Sequence, residues 1–270
     1  MTKRRTAIID ADSVLYSIAA MAEVRVDENE WLPLIPPEKA LDQVVFMIES
    51  LTNEAGCDRA LVVLSDHRNF RKVLYPAYKS NRKDARRPTI LGELRALVMG
   101  ADKGYGKLII PWLEADDVCG ISYGLLAEKG MESVIVSQDK DMCSIPCLLY
   151  NPRPNAFTGS RRPVETISEA SADRFHLMQT LSGDAVDGYP GCPGIGFVKA
   201  NKILEGYNNA EAVDAGVTGA EAWKRVVAAY VEKGLTEQDA LLQARVARIL
   251  RSKDWDAVNK KVKQWEPERD

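Results

Sequence analysis

The chain of 270 residues has little of what many catalytic or secreted proteins depend on: two histidines, five cysteines and an aromatic content of 7%. His67 and His176 sit in no recognisable nucleophile arrangement, which argues against serine-triad chemistry and leaves them as a loop and a helix residue. The cysteines (Cys57, Cys119, Cys143, Cys147, Cys192) are scattered and odd in number, so they form no disulfide framework, and a reducing cytoplasm is the expected compartment. Cys143 and Cys147 lack the further ligands of a zinc site and read as buried thiols. No window approaches the roughly 18 apolar residues of a membrane span. The basic start (Lys3, Arg4, Arg5) precedes only Ala7-Ile8-Ile9, too short for a signal peptide. Low-complexity tracts and internal repeats are also lacking.

What is present is an ordinary globular composition, 46% hydrophobic and 28% charged, with 36 basic and 39 acidic side chains and a net charge of −3. That near-balance conceals an asymmetry. Between Arg68 and Lys107 the chain carries a block of +8, which leaves −11 elsewhere. Lying between two sheet strands, the block is expected to clamp a polyanion.

Short β-branched runs at 6–9, 60–64, 107–110, 133–136 and 148–150 predict buried strands. Helical periodicity predicts helices over 37–53, 114–129 and 172–181. Alternation of this kind implies a mostly parallel α/β sheet with its ligands at the carboxyl ends of the strands. Past Asn151-Pro152-Arg153-Pro154 the β signal fades, and Thr236-Glu237-Gln238-Asp239 predicts a capping box before a helix. The division expected is an α/β core over 1–165 and a helical subdomain over 166–270.

The strand ends are acidic. Asp10 follows the first strand and Asp66 the second, Glu114, Asp116 and Asp117 open the helix after the third, and Asp139 and Asp141 follow the fourth. Asp184 and Asp187, three apart, are expected on one face of a helical turn. Singly, such residues are usually caps or solvated surface; repeated after successive strands, they predict nine carboxylates at one edge. Without a counter-charge that density raises pKa values and destabilises the fold. Oxygen-only ligation selects Mg²⁺ or Mn²⁺ over Zn²⁺, and so many acids suit two ions. Two ions about 3.5–4 Å apart are the usual arrangement for displacement at phosphorus, so phosphoester hydrolysis is the expected chemistry.

Two further features concern phosphate. The stretch from Pro190 to Gly196 leads into a helix carrying Lys199 and Lys202, and Gly194 and Gly196 let backbone approach a ligand closely. It has the pattern of a helix-hairpin-helix, which grips DNA backbone without reading sequence. Upstream, Pro88 is expected at a helix's first position, with Ile90, Leu91, Leu94, Leu97 and Val98 at helical spacing. The basic residues from Arg82 to Arg87 would stand above the metals and hold phosphates.

Together these motifs resemble the flap endonuclease and 5′ nuclease superfamily, most of all the 5′-to-3′ exonucleases of short-tailed bacteriophages. The resembling segments are Ile9-Asp10-Ala11-Asp12-Ser13, Tyr78-Lys79-Ser80-Asn81-Arg82-Lys83, Leu113-Glu114-Ala115-Asp116-Asp117-Val118, Val136-Ser137-Gln138-Asp139-Lys140-Asp141 and Ser182-Gly183-Asp184-Ala185-Val186-Asp187-Gly188-Tyr189. The likeness continues through the C-terminal helices. It implies a PIN-like core, a basic helical arch over about 78–105 and the helix-hairpin-helix subdomain. It also implies two Mg²⁺ ions, for which Mn²⁺ substitutes, with Asp66, Asp116, Asp117 and Asp139 nearer one and Asp141, Asp184 and Asp187 nearer the other.

Asp10 and Glu114 match positions that act largely through water on the metals. Lys79 and Arg82 match residues that stabilise the scissile phosphate, and Tyr78 one that packs a base or sugar. Lys83, Arg86 and Arg87, with Gly194, Gly196, Lys199 and Lys202, complete the expected DNA contacts. The chain carries Gln179 where many relatives have Lys, and Gly188 where Asn is common. The interval from Tyr78 to Glu114 is short for the family.

The implied substrates are duplex DNA ends, nicks and flaps and the RNA of RNA–DNA hybrids, with no membrane partner. The setting is the host cytoplasm if the chain is phage-encoded, with a single-stranded-DNA-binding protein of the replication machinery as a partner. The alternatives are a structure-specific flap endonuclease, a haloacid-dehalogenase-like phosphatase using Asp10-Ala11-Asp12, and DNA binding without catalysis.

Overall fold

The computed structural model describes residues 4–28, 30–83, 85–156, 159–207 and 217–269; Lys3 and Asp84, part of the charge reading above, lie outside them. Two compact units emerge, one comprising 1–68, 85–139 and 148–165 and the other 69–84, 140–147 and 166–270. The expected division was contiguous along the chain, whereas the second unit also recruits two short segments, 69–84 and 140–147, from within the expected core.

In the first unit the apolar run Ala7-Ile8-Ile9 is wholly buried because its strand, β1 (Arg5–Asp10), pairs on both sides. β1 lies parallel to β4 (Arg59–Val63), with Ile8 opposite Leu61, and to β6 (Glu132–Val136), with Ile8 opposite Ile135. A strand covered on both faces needs side chains that are apolar on both, which explains a continuous rather than alternating run. β5 (Gly106–Leu108) extends one side and β7 (Cys147–Tyr150) the other, giving a six-strand order of β5-β4-β1-β6-β7-β8, with β8 (Glu165–Ile167) where the chain passes between units. β1, β4, β5, β6 and β7 are all parallel, so their carboxyl ends share one edge.

α1 (Ala11–Met21), α2 (Pro37–Glu54) and α5 (Ala115–Glu128) follow strands or lead into them. α2 buries Ala40, Leu41, Val44, Ile48 and Leu51, the helical spacing that identified it. A short hairpin of β2 (Glu23–Arg25) and β3 (Trp31–Pro33) was not anticipated; three-residue strands carry too little pattern to be read. α4 (Leu91–Gly100) takes the place of the helix expected from Pro88, but starts three residues later, with Pro88 in the turn that precedes it. Its buried face, Leu94 and Val98 with Ile90 just before, joins the core shared with α1 and α2. This part of the expected arch is therefore packed helix.

The second unit contains α6 (Glu169–Ser182), α7 (Phe197–Ile203), α8 (Gly219–Val231) and α9 (Glu237–Ala247). Leu177, Leu181, Ile195, Ala200, Leu204, Trp223, Val226 and Tyr230 form its core. Ser168, Thr218 and Thr236 cap three of the helices, and the Thr236/Asp239 capping box is present as the sequence predicts. The 69–84 segment, which includes α3 (Arg71–Leu74), is held here by Arg71. This buried guanidinium donates to the carbonyls of Val246 (2.9 Å) and Arg248 (2.6 Å).

Candidate active site

Six of the nine acids lie at the carboxyl edge of the parallel strands. Asp10 ends β1, Asp66 and Asp139 lie just past β4 and β6, and Glu114, Asp116 and Asp117 open α5. Asp10 is pushed up to about 7, first by burial and then by the neighbouring carboxylates Asp12 and Asp139, against a lowering hydrogen bond from Ser137. Ser137 Oγ donates to Asp10 Oδ2 at 3.1 Å and accepts from the Asp139 amide at 3.1 Å, so one hydroxyl ties the ends of two strands together. Asp12 accepts from the Ser65 amide at 3.0 Å and pairs with Arg95 at 2.6 Å. Part of the phosphatase alternative's motif, it instead ties the residue just past β4 to α4.

Asp66 is drawn down to about 2. Burial opposes this, but the Trp112 amide, Arg68 and the His67 backbone outweigh it. Glu114 is the N-cap of α5 in a reciprocal capping box with the fully buried Asp117. Ser65 Oγ accepts the Ala115 amide at 2.9 Å, which fixes the first turn of that helix beside β4. Ser65 and Ser137 were both overlooked in the sequence, although each is a hydroxyl residue just past a buried strand.

Asp141, Asp184 and Asp187 belong to the second unit. Asp184 and Asp187 do not lie on a helix, as their spacing suggested. Gly183, at φ +64°, ends α6, and Asp184 Oδ1 then accepts the amides of Val186 (2.7 Å) and Asp187 (3.2 Å) in a tight turn closed by Asp184 and Tyr189. Asp184 is held below the ordinary carboxylate range: burial raises it, but those amides and Lys140, at 3.3 Å, lower it further. Gly183 is required there, because a Cβ on it would lie 2.3 Å from the Pro190 carbonyl carbon.

Around Asp187 the expected phosphate residues converge. Arg82 pairs with its Oδ1 at 2.7 Å, Lys79 approaches Oδ2 at 3.5 Å, and the Tyr78 hydroxyl donates to Oδ2 at 3.0 Å. Gly188, the departure from the family's Asn, sits at φ +75° against the Ala77 carbonyl and the Lys79 amide. The expectation that Tyr78 packs a base or sugar is not met. Tyr78 is 3% exposed, clustered with Tyr189, Val246 and Ala247 and faced by Arg71, so its role is to hold Asp187 through its hydroxyl.

The other expected DNA contacts divide similarly. Lys83, Arg87, Lys199 and Lys202 are exposed, and Gly194 and Gly196 face open space at the start of α7. Arg86 is otherwise engaged: it pairs with the buried carboxylate of Glu23 and lies 3.8 Å from the centre of the Trp31 ring. His176 is buried, as a helix residue of α6, and His67 lies exposed beside Asp66. None of the five cysteines is in a disulfide; Cys57, Cys119, Cys147 and Cys192 are buried, and burial pushes Cys147 up to about 12.

The donor chemistry fits a hard divalent cation: every candidate ligand is a carboxylate oxygen, and Asp10 is a desolvated acid among acids, a condition that a cation relieves. Among the described residues no three carboxyl, thiol or imidazole groups already converge on one point as metal ligands. The phosphatase alternative loses its footing, because Gly183-Asp184 follows a helix and not a strand, and Asp12 is tied to Arg95. Among the described residues no helix is long and apolar enough to cross a membrane.

Comparison with known proteins agrees with this geometry. The 5′-3′ exonuclease, N-terminal resolvase-like domain family matches residues 5–149. The exodeoxyribonuclease of Enterobacteria phage T3 is 30% identical, covering 96% of this chain and 92% of its own length. The exonuclease of Escherichia phage T7 is likewise 30% identical, over 96% and 93%. Among solved structures, the bacteriophage T5 flap endonuclease, in a pseudo-enzyme-product complex with DNA and metal ions, superposes with a TM-score of 0.62 at 18% identity, covering 90% of this chain and 89% of that one. A PIN-like α/β core with acids at its strand ends, together with these matches, means that the chain belongs to the phage 5′-3′ exonuclease family.

Proposed function

We propose that this chain is a Mg²⁺-dependent 5′-to-3′ exonuclease that removes short products from the ends and nicks of duplex DNA and also degrades the RNA of RNA–DNA hybrids, in the cytoplasm of the host. The observation that carries this reading is the acidic edge of the parallel sheet, where Asp10 is buried among other carboxylates. Asp66, Asp116, Asp117 and Asp139 would hold one ion and Asp141, Asp184 and Asp187 a second, with Asp10 and Glu114 acting on them largely through water and Mn²⁺ able to replace Mg²⁺. When bound, such ions generate a nucleophile at neutral pH and neutralise charge on the phosphoryl oxygens.

The chain's own groups do the rest. Lys79 and Arg82, paired with Asp187, offer the cations that stabilise a phosphate passing through its most charged state. Asp187 keeps them extended and ready, and Tyr78 keeps Asp187 in place. The Ser137 bridge holds Asp10 and Asp139 in a fixed relation. Lys83, Arg87, Lys199, Lys202 and the open backbone at Gly194 and Gly196 grip phosphates without reading bases.

Duplexes labelled at the 5′ or the 3′ end, digested with Mg²⁺ and with EDTA, test this directly. Early release of the 5′ label that stops on chelation is the expected result; early loss of the 3′ label, or activity in EDTA, refutes it. Cleavage of 5′ flaps by the same site is the second reading, supported by the likeness to the T5 flap endonuclease. A flapped duplex in the same assay separates the two by product length.

A further inference from the structure

Trp112 stands out in the first unit. It is 44% exposed, and its φ of +71° lies in the left-handed region, where a bulky L-residue is strained and glycine would be at ease. Two contacts hold it there. Its amide donates to Asp66 Oδ2 at 2.8 Å, and the Arg68 guanidinium, itself 3.0 Å from the same carboxylate, lies 5.0 Å from the centre of the indole ring. His67 closes the group, with Nδ1 2.8 Å from Asp66 Oδ1 and most of its ring in water. A strained, solvent-facing aromatic backed by a cation, two residues before Glu114, has no core to fill. Strain of this kind persists where the surroundings over-determine it, and it concentrates at functional sites.

We propose that Trp112, backed by Arg68, is a stacking platform for a nucleobase of the substrate at the lip of the acidic edge, and so a determinant of substrate affinity. This rests on the nuclease reading above. Every base has a π-face, so an aromatic ring holds a strand of any sequence in register, and the guanidinium adds a cation–π and phosphate contact. The exposed indole thus supplies to the first unit a stacking contact with bases beside the phosphate contacts of the lysines and arginines.

The test uses the full-length chain with Mg²⁺ on a 5′-labelled duplex. Trp112→Gly, which removes the ring and relieves the backbone, should raise KM about 5- to 150-fold, the range found for removing one base-stacking aromatic, and leave kcat within about threefold. Its Tm should equal or exceed that of the wild type by about 2 °C. Trp112→Phe should restore most of the affinity. With EDTA present to prevent turnover, tryptophan fluorescence should fall as duplex is added to the wild type, and less so for Trp112→Phe. An unchanged KM in Trp112→Gly, or a raised KM accompanied by a lowered Tm, overturns the proposal, the second because it would mark a packing role. Failure of the wild type to release the 5′ label would instead overturn the nuclease reading, and the fluorescence titration would still decide whether Trp112 meets DNA.

Discussion

Arg86 was expected on the DNA backbone, and its surroundings give it a different task that can be measured. Glu23 is the acceptor at the centre. Its side chain is fully enclosed and takes hydrogen bonds from Arg86, from the Thr89 amide at 2.8 Å and from the Thr89 hydroxyl at 2.9 Å. Arg86 also covers the Trp31 ring. The cluster joins the β2–β3 hairpin to the stretch just before α4. The Arg86 hydrogen bond, helped by the two from Thr89, holds the Glu23 carboxyl down at about 2 in spite of its burial.

Hydrogen bonds to a charged group are worth about 1.5–3 kcal/mol each when buried. Arg86 is 43% exposed, so water replaces part of its bond, and its contact with the Trp31 ring adds only modestly. Glu23→Ala should therefore cost about 3 kcal/mol, and Arg86→Met, at the solvent-facing end of the pair, should be less destabilising. The double variant should cost less than the sum, because both remove the same pair. Urea unfolding of the four proteins at pH 7 measures this. The sign with pH follows from a depressed carboxylate: the stabilisation is full above the unfolded value, near 4.5, and is lost as pH falls toward 2.

The decisive comparison is with DNA affinity. Each phosphate contact adds about 0.9 to the slope of log K against log salt. Arg86→Met should leave that slope unchanged, whereas Lys83→Ala should reduce it by about 0.9. A slope reduced by Arg86→Met, with unfolding unaffected, would refute the assignment and return Arg86 to the DNA.

The other expectations concern the acids, the glycine turn and the buried histidine. Asp139→Asn and Asp10→Asn should each lower Mg²⁺-dependent 5′ digestion by at least about 100-fold with unfolding midpoints near wild type, read by gel assay and circular dichroism. Gly191→Ala should be severely destabilising, about 3 kcal/mol or more, since its Cβ would sit 2.2 Å from the Gly183 amide nitrogen; a thermal melt close to wild type would contradict the geometry. His176 is buried, with Nε2 2.8 Å from the Ala244 carbonyl and its ring edge-on to Trp265. Burial holds its pKa well below the ordinary value, as do Arg248 and Arg251 nearby. The unfolded chain then binds a proton that the folded chain refuses, so its contribution is complete above about pH 6.5 and falls by about 1.4 kcal/mol per unit below that. Urea unfolding at pH 7 and pH 5 should show this extra loss in the wild type, and a smaller one in His176→Gln.

The sequence carried the first unit far because its signals are local. A β-branched run ending in an acid is a buried strand with a carboxylate at its tip, and parallel pairing then puts Asp10, Asp66 and Asp139 at one edge without further information. The Thr236 capping box and the α2 face were legible for the same reason. Partners distant in the chain were not legible. Spacing alone suggested that Asp184 and Asp187 shared a helix, but Gly183 ends α6 because Gly191 packs against its backbone, an approach that no local pattern reveals. Charge suggested that Arg86 binds DNA and the family resemblance that Tyr78 does; the tertiary fold set Glu23 and Trp31 against the first and enclosed the second between Tyr189 and Arg71. Residue type and spacing determine which groups can bear charge, hold a cation or end a strand, because those properties are intrinsic or depend on nearest neighbours. Which of these groups remain available to a substrate was decided by the tertiary structure alone, because burial and pairing come from side chains that meet only when the chain is folded.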